Sequence, residues 1–389
     1  MNNFFKRATE LMPNMLKDRH YLHENAECGS HLPNTTAYII KRLKQIGLDP
    51  EEICDSGVTA TIYGEKPGKT ILLRCDTDAL PMSETNDLLF KSKTNAAHNC
   101  GHDIHTSMLL SAAQLLKESS KELVGNVKLM FQPAEEIFQG SQNMIKSGVL
   151  KNPSVDAAIG IHTMLDYDAP SVAFCEGNMT SSCDGFKITI TGKGCHGALP
   201  HSGIDPINAG VHIYLSFQEL IARETPSMET ASLTLGQFSS GNSPNIIPNI
   251  ATLQGTLRTY NTEVRNKLFS RIQDIIKSTE LMCNVKIQYE VLSSVPSTYT
   301  DPTLLKELVS YVEDIDENMK YIPNYRVTPS DDLAFISKEV PTVYFMLGCH
   351  VPGNDYPHHN PNVLFDENAM AYGASIYSTC AFNWLNNNN

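Results

Sequence analysis

Residues 97–106 combine three histidines, a cysteine and an aspartate, directly before a run with helical spacing of apolar residues. Cys100 and His102 lie two positions apart across a glycine, so both side chains can approach one point from a turning segment. Thiolate and imidazole together suit Zn²⁺ or a similar first-row cation. The segment therefore predicts a metal site, although a histidine-rich surface loop is an equally good interpretation of these residues alone.

Carboxylates follow segments with strand patterns. Asp76 and Asp78 end one predicted strand, and Glu135 and Glu136 come directly after another. In open α/β sheets, ligands bind at this edge. Adjacent carboxylates point in different directions, so one can bind a cation while its neighbour handles a proton. Glutamate pairs on exposed helices are the common alternative, but a position directly after a buried strand favours function.

Histidines from two other regions complete a candidate metal centre. His162 follows a predicted strand over 156–161, and a late loop carries His358 and His359 before Asn360 and Pro361. Together these segments offer enough donors to bind two cations through one shared ligand, with one carboxylate to spare. The candidate groups are Cys100 with His102, Glu135 with Glu136, His162, and either His358 or His359.

The composition restricts the class of protein. The 389 residues carry a net charge of −13, with 41% hydrophobic and 19% charged residues, which is typical of a globular protein long enough for two domains. The acidic balance argues against nucleic acid or an anionic membrane as the main partner. No apolar run reaches membrane-span length, no signal peptide is evident, and the ten cysteines form no CxxC pair. We therefore expect a cytoplasmic protein with reduced thiols.

Hydrophobic periodicity predicts two types of structure. Residues 1–183 and 295–389 combine helical patterns with short apolar strands, as in an α/β domain with a mostly parallel sheet and helices on both faces. Residues 184–294 instead contain half-exposed strands in the order β-α-β-β-α-β, the ferredoxin-like α+β unit. We therefore predict a catalytic domain built from both ends of the chain, with a second domain inserted between them.

Six short motifs resemble, in order and over nearly the whole chain, those of the M20 metallopeptidase family. The resemblance is greatest to its amidohydrolase branch, which includes hippurate hydrolase, N-acyl-amino-acid and auxin-conjugate amidohydrolases and N-acetyl-diaminopimelate deacetylase. The motifs are residues 74–81 (RCDTDALP), 100–103 (CGHD), 132–136 (QPAEE), 192–196 (GKGCH), 245–248 (NIIP) and 255–258 (GTLR).

The resemblance implies a centre of two divalent metal ions, Zn²⁺ or Mn²⁺, with Co²⁺ or Ni²⁺ as alternatives. Cys100 would bridge the two ions, at a position that an aspartate occupies in other branches of the family. His102 and His162 would complete one site, and Glu136 and His359 the other. A cysteine in this position makes the site sensitive to oxidation.

The resemblance also implies which residue handles the proton and which late histidine binds metal. Glu135 would be the general base. His359 is preferred as the ligand because the family's histidine precedes x-Pro, as His359 precedes Asn360 and Pro361. His358 stays open as the alternative, since spacing alone does not distinguish the two.

Supporting residues and a second copy of the chain are further implications of the resemblance. Asp78 and Asp103 would orient the metal ligands. The inserted domain would serve as the lid and dimerisation domain of a homodimer, with a homotetramer as the alternative. The partner subunit's His196 would hydrogen-bond the scissile carbonyl oxygen, while Asn245 and Arg258 would hold the substrate carboxylate. A guanidinium suits that role because it binds carboxylates through two hydrogen bonds.

The implied activity is hydrolysis of the amide bond of an N-acyl amino acid, with an acetyl, benzoyl or longer acyl group. An M20-type dipeptidase or carboxypeptidase is the nearest alternative. A hydrolase that uses Cys100 as its nucleophile with His102 is another. A binding or regulatory protein on the same fold is the non-enzymatic alternative, although such a protein has no need of both Glu135 and Glu136.

Overall fold

The computed structural model describes residues 4–388, which form two compact units. The first consists of the described chain up to Met179, Tyr299–Arg326 and the chain from Asp331, and the second of Thr180–Thr298 and Val327–Ser330. The sequence predicts boundaries at 183/184 and 294/295, with 327–330 in the first domain. In the structure this short segment bonds within the second unit, where the Tyr260 hydroxyl donates to the Val327 carbonyl (3.0 Å).

The described residues form nine α-helices and sixteen strands. The helices are α1 (Phe4–Glu10), α2 (Met12–Glu24), α3 (Pro33–Gln45), α4 (His102–Glu118), α5 (Gly140–Lys146), α6 (Pro206–Glu219), α7 (Thr262–Cys283), α8 (Pro302–Val312) and α9 (Ala369–Asn387). The strands are β1 (Glu51–Cys54), β2 (Gly57–Tyr63), β3 (Lys66–Asp76), β4 (Val124–Gln132), β5 (Ala157–Asp168), β6 (Ser171–Ala173), β7 (Gly177–Asn178), β8 (Cys183–Thr191), β9 (Cys195–His196), β10 (Ala231–Ser240), β11 (Ile246–Ile247), β12 (Ile250–Thr259), β13 (Lys286–Val295), β14 (Tyr299–Thr300), β15 (Lys320–Ile322) and β16 (Thr342–His350). In this part of the chain, no helix has both the length and the apolar character needed to cross a bilayer.

The first unit contains an eight-stranded sheet in the order β1-β2-β4-β3-β5-β16-β6-β15. Its centre is parallel, since β3 pairs with β4 and β5, and β5 pairs with β16. Antiparallel pairs occur where β2 meets β1 and β4, and where β6 meets β16. The predicted α/β class with a mostly parallel sheet is confirmed.

The central strands are buried, which explains their continuous apolar sequences. Every residue of β16 except His350 is buried, and a strand covered on both faces needs apolar residues at successive positions. The parallel register places Asp76 opposite Gln132 and Arg74 opposite Gly160. The segments that follow β3 and β4 therefore emerge side by side. One detail differs from the prediction, because β5 continues to Asp168 and His162 lies inside the strand.

The second unit has a four-stranded antiparallel sheet in the order β10-β12-β8-β13. Along the chain its elements follow the predicted order, β8-α6-β10-β12-α7-β13. Phe186, Ile188 and Ile190 alternate along β8 and pack in one buried cluster with Phe217 of α6 and Leu268 of α7. The alternation means that one face of this sheet carries the core of the unit.

Candidate metal centre

Cys100 and His102 are presented at the start of α4. Gly101 between them has a φ of +90°, a conformation that favours glycine, and a Cβ there would lie 2.6 Å from Thr163 Oγ1. The glycine thus lets the chain turn sharply into the helix. Cys100 Sγ lies 3.6 Å from His162 Nε2. The ligand atoms of Cys100, His102 and His162 all lie within 4.8 Å of one another.

A second group of candidate ligands contains the same cysteine. The ligand atoms of Cys100, Glu136 and His359 also lie within 4.8 Å of one another, and His359 Nε2 is 3.5 Å from Glu136 Oε1. Because Cys100 belongs to both groups, its sulfur is placed where it could bridge two ions. The five predicted ligands are therefore brought together in the first unit.

The donor atoms fit a metal centre better than a hydrogen-bonded core. His102 Nε2 and Glu136 Oε1 are buried without a hydrogen-bond partner among the described residues, and they lie 3.8 Å apart. Buried polar atoms are otherwise almost always paired. Sulfur, imidazole and carboxylate are the donors that Zn²⁺ and its first-row neighbours prefer.

The other ring nitrogen of two candidate ligands is held by a backbone carbonyl. His102 Nδ1 lies 2.7 Å from the Asp78 carbonyl oxygen, and His162 Nδ1 lies 2.6 Å from the Thr163 carbonyl oxygen. A carbonyl only accepts, so each Nδ1 carries a proton, and in the neutral ring each Nε2 keeps its lone pair. This is the tautomer that metal binding through Nε2 requires.

Asp78 also holds the two glutamates. Its Oδ1 accepts the backbone N–H of Glu135 (3.0 Å), and its Oδ2 accepts that of Glu136 (3.1 Å). One buried residue therefore fixes the backbone of the predicted base and of one ligand, and orients His102 as well. These are the contacts expected of the orienting residue that the resemblance implies.

A tight turn after β4 carries the glutamate pair. Ala134 has a φ of +57°, which is unusual for a residue other than glycine. At the end of the turn, a Cβ on Gly140 would lie 1.6 Å from the Pro133 carbonyl oxygen, so only glycine fits there. The backbone thus commits Glu135 and Glu136 to one arrangement.

Glu135 is only 6% exposed and lies between the ligands and a second acidic pair. A carboxylate oxygen of Glu135 lies within 4.8 Å of ligand atoms of His102 and Glu136. A carboxylate oxygen of Glu135 also lies within 4.8 Å of carboxylate oxygens of Asp331 and Asp332. Burial, followed by the charges of Asp331 and Glu136, raises the pKa of Glu135 well above its usual range. A raised pKa makes the deprotonated carboxylate a stronger base, which suits a group that takes a proton from water.

A buried arginine holds this acidic pair, and sequence patterns do not single it out. Arg74 donates to Gln132 (2.9 Å), Asp76 (2.9 Å) and Asp332 (3.0 Å), and it lies 3.2 Å from Asp331. One signal was available, because Arg74 is a charged residue inside an apolar strand and buried charges are almost always paired. Gln132 lies 58 residues and Asp332 lies 258 residues from Arg74 in the chain. Local spacing could therefore not identify them as its partners.

The structure distinguishes the two late histidines. His359 has a φ of +64° and its ring reaches Glu136. His358 Nε2 instead lies 3.4 Å from Thr163 Oγ1, and its ring centroid is 5.6 Å from that of His162. His358 therefore lies beside the ligand groups, and the geometry favours His359 as the ligand.

Replacing His359 by alanine is expected to reduce bound metal from about two ions per chain to about one, because a donor atom is lost. His358→Ala is the matched control, and it should keep both ions since His358 contributes no ligand. Metal analysis of both variants after extended dialysis measures the difference. The opposite pattern, with metal lost only in His358→Ala, would exchange the two assignments.

Asp103 belongs to a separate buried cluster. Its Oδ2 accepts from Arg19 Nε (3.2 Å) and bonds with His23 Nδ1 (2.9 Å), while His23 Nε2 bonds with Glu84 (3.0 Å). Among the described residues, no side-chain hydrogen bond of Asp103 is formed with a predicted ligand. Asp103 can therefore act on His102 only through the helix that carries both.

His23 gives this cluster a pH-dependent contribution to stability. Burial opposes its protonation, but hydrogen bonds with Asp103 and Glu84 outweigh burial and raise the pKa of His23 from 6.5 to about 9. A pKa that is raised in the folded state stabilises the fold fully below the unfolded value, and the effect is lost as pH rises through the folded value. The unfolding free energy should thus fall by about 3 kcal/mol across this window. Urea titrations at pH values below and above this window measure the fall in unfolding free energy, which His23→Gln should remove. If this variant lost as much unfolding free energy across the window as the wild type, the assignment to His23 would be wrong.

His196 and Asn245 lie on neighbouring segments of the second unit. His196 of β9 is opposite Ile246 of β11, and the Gly197 N–H donates to the Asn245 carbonyl (2.7 Å). His196 Nδ1 accepts the Ala198 N–H (3.1 Å), so in the neutral ring the proton is on Nε2. Nε2 can therefore act as a hydrogen-bond donor.

Arg258 lies near the end of β12 in the same unit. Its Nη1 donates to Ser330 Oγ (3.1 Å), which uses one of the five N–H groups of a guanidinium. The Ser330 hydroxyl thus helps to orient this side chain. The roles of His196, Asn245 and Arg258 remain predictions.

Comparisons with known proteins find similarity along most of the chain. The sequence model of peptidase family M20/M25/M40 matches residues 72–383. N-acetyl-L-cysteine deacetylase of Bacillus subtilis (strain 168) is 34% identical, over 90% of this chain and 83% of that protein. Thermostable carboxypeptidase 2 of Saccharolobus solfataricus is 33% identical, over 96% of this chain and 95% of that protein. IAA-amino acid hydrolase ILR1-like 2 of Arabidopsis thaliana is 33% identical, over 98% of this chain and 87% of that protein.

Among solved structures, a dinuclear metal-binding peptidase of the M20 family from Bacillus subtilis has a TM-score of 0.84 to this chain. The two are 27% identical, over 97% of this chain and 99% of that one. The similarity therefore extends over both units.

Proposed function

This chain belongs to peptidase family M20/M25/M40, and from that premise we propose that it is a metal-dependent amidohydrolase of N-acyl amino acids. It cleaves the amide bond to give a carboxylic acid and a free amino acid. Relatives named N-acetyl-L-cysteine deacetylase and IAA-amino acid hydrolase support this substrate class. The observation that carries the proposal is that Cys100 belongs to two ligand groups, with the buried Glu135 beside them.

Two divalent cations suit the donor groups. Cys100, His102 and His162 would hold one ion, and Cys100, Glu136 and His359 the other. When bound, such ions polarise the amide carbonyl and lower the pKa of water toward about 7. Thiolate and imidazole favour Zn²⁺, while the carboxylate also accepts Mn²⁺, and Co²⁺ and Ni²⁺ are alternatives.

Glu135 moves the proton during hydrolysis. Its carboxylate accepts a proton from the attacking water and then delivers it to the leaving amide nitrogen. The water oxygen ends in the carboxylic acid and the proton on the free amine, so the reaction balances. Asp78 supports this role because its hydrogen bond to the Glu135 backbone keeps the carboxylate in place.

The remaining substrate contacts are assigned to residues of the inserted second unit. The partner subunit's His196 would donate to the scissile carbonyl oxygen, an interaction whose removal costs about 3 kcal/mol in comparable sites. Asn245 and Arg258 bind the substrate carboxylate. Support comes from the Nε2–H of His196, from the proximity of Asn245 on the paired segment, and from the bidentate geometry of a guanidinium.

The chain forms a homodimer through this unit. Helix α6 exposes an apolar stripe at helical spacing, with exposed fractions of 37%, 43%, 42% and 57% at Ile207, Val211, Tyr214 and Leu215. An exposed apolar patch of this kind is typical of an interaction surface, and light scattering of the purified protein measures the assembly directly. All ten cysteines are free thiols, which is consistent with a cytoplasmic location.

Purified, metal-loaded protein should hydrolyse N-acetyl, N-benzoyl or longer N-acyl amino acids with a kcat/KM at least about tenfold above that for free dipeptides. The reason is that a site built for an uncharged acyl group must desolvate the charged α-amine that an unblocked dipeptide carries on that side of its amide. Activity should disappear with a chelator and return with Zn²⁺ or Mn²⁺.

Other outcomes of this assay support other functions. Preference for free dipeptides or for C-terminal residues of peptides would indicate a dipeptidase or carboxypeptidase, which the carboxypeptidase relative makes the second candidate. Activity that survives the chelator would indicate Cys100 as a nucleophile. Metal binding without any hydrolysis would indicate a binding protein.

A further inference from the structure

His105 lies among the candidate ligands, yet both of its ring nitrogens are already used. Its Nδ1 is 2.5 Å from Asp76 Oδ1, and its Nε2 accepts the backbone N–H of Thr163 (2.9 Å). A backbone amide can only donate, so Nε2 supplies a lone pair and Nδ1 carries the proton that is donated to Asp76. His105 is therefore not available as a ligand, even though its ring lies within 4.8 Å of donor atoms of Asp76 and His102.

Thr163 connects His105 to two of the ligands. Its carbonyl accepts the Nδ1–H of His162 (2.6 Å), and its hydroxyl donates to the Cys100 carbonyl (3.2 Å). The backbone of Thr163 is thus in contact with His105 on its N–H side and with a ligand histidine on its carbonyl side. A shift of this peptide would turn His162 and move Cys100 together.

We propose that His105 is a positioning residue of the metal centre. Held by Asp76, it fixes the backbone at Thr163, and through that backbone it fixes the directions of His162 and Cys100. The inference rests on the proposed function, because it takes these last two residues as metal ligands. The competing account is that His105 only provides a buried partner for Asp76, in which case any residue that donates to Asp76 would replace it.

Two substitutions separate these accounts. In His105→Asn the amide lies at the place of Nδ1 and can still donate to Asp76, but nothing accepts the Thr163 N–H. In His105→Gln the amide oxygen reaches the place of Nε2 and can accept that N–H, but the contact with Asp76 is lost. A third variant, Thr163→Val, keeps both backbone contacts and removes the hydroxyl, which donates to the Cys100 carbonyl (3.2 Å) and also lies 3.3 Å from His105 Nε2 and 3.4 Å from His358 Nε2.

The test is titration of the metal-free protein with Co²⁺. The thiolate-to-cobalt charge-transfer absorption monitors binding and reports the bond from Cys100 to the ion. His105→Asn should weaken Co²⁺ binding about 10- to 100-fold and shift the absorption. His105→Gln should stay near the wild type in both respects. Thr163→Val should shift the absorption with a smaller loss of affinity.

Wild-type affinity and absorption in His105→Asn would overturn the proposal, and so would equal losses in the Asn and Gln variants. Circular dichroism shows whether each variant is folded. If His105→Asn does not fold, Thr163→Val decides, and an unshifted absorption there would overturn the proposal. A wild-type protein that binds no Co²⁺ would instead contradict the proposed function, so the two failures are distinguishable.

Discussion

Replacing Glu135 by glutamine is expected to lower kcat about 10²- to 10⁴-fold while the protein still binds two metal ions per chain. Glutamine keeps the size of the side chain and the backbone hydrogen bond to Asp78, so the ligands stay in place. It cannot accept a proton from water or deliver one to the leaving nitrogen. Steady-state kinetics together with metal analysis of the same preparation measure the two effects.

The same substitution at the neighbouring glutamate is the matched control. Glu136→Gln should lose affinity for one ion, since Glu136 Oε1 is a donor of the second ligand group, while the proposed base is untouched. The two variants should therefore differ in metal content as well as in rate. Wild-type kcat in Glu135→Gln would show that another group moves the proton.

Replacing Cys100 by alanine should abolish metal binding and activity together, with kcat/KM reduced at least about 10⁴-fold. Every other candidate ligand belongs to one of the two Cys100-containing groups, whereas Cys100 belongs to both. Its loss therefore weakens both sites at once and leaves buried histidines and carboxylates without the cations that would balance them. Metal analysis after dialysis and assays over a range of added Zn²⁺ or Mn²⁺ measure the effect.

Cys380→Ala is the control for losing a buried thiol. Cys380 is also fully buried, but it lies in α9 and in neither ligand group, so metal content and kcat should stay near those of the wild type. Cys100→Asp should recover part of the bound metal, since a carboxylate can bridge two ions as well. Two tightly bound ions in Cys100→Ala would show that the groups do not share a ligand.

Local sequence patterns were sufficient to predict which types of side chain could bind metal and in which order the helices and strands follow one another. The Cys100-Gly101-His102 spacing requires only a turn into a helix, and that turn is what the structure contains, with Gly101 in a left-handed conformation. Periodicity likewise separated the parallel sheet from the β-α-β-β-α-β unit, because a strand buried on both faces and a half-exposed strand need different sequences. The preference for His359 came from the family resemblance, since spacing alone did not distinguish it from His358.

Contacts between residues far apart in the chain could not be predicted from local sequence patterns. Arg74 meets Asp332, and His105 meets Thr163, only because tertiary packing places the segment at 332–335 and helix α4 against strands of the sheet. Asp103, one position after a ligand, points into a different cluster, since adjacent positions on a helix face different directions. Spacing restricts neighbours within a few residues, whereas hydrogen bonds between strands and helices are set by packing of the whole unit. For that reason the predicted metal ligands can be identified from the sequence, whereas Arg74 and His105, which hold their surroundings in place, are identified only in the folded protein.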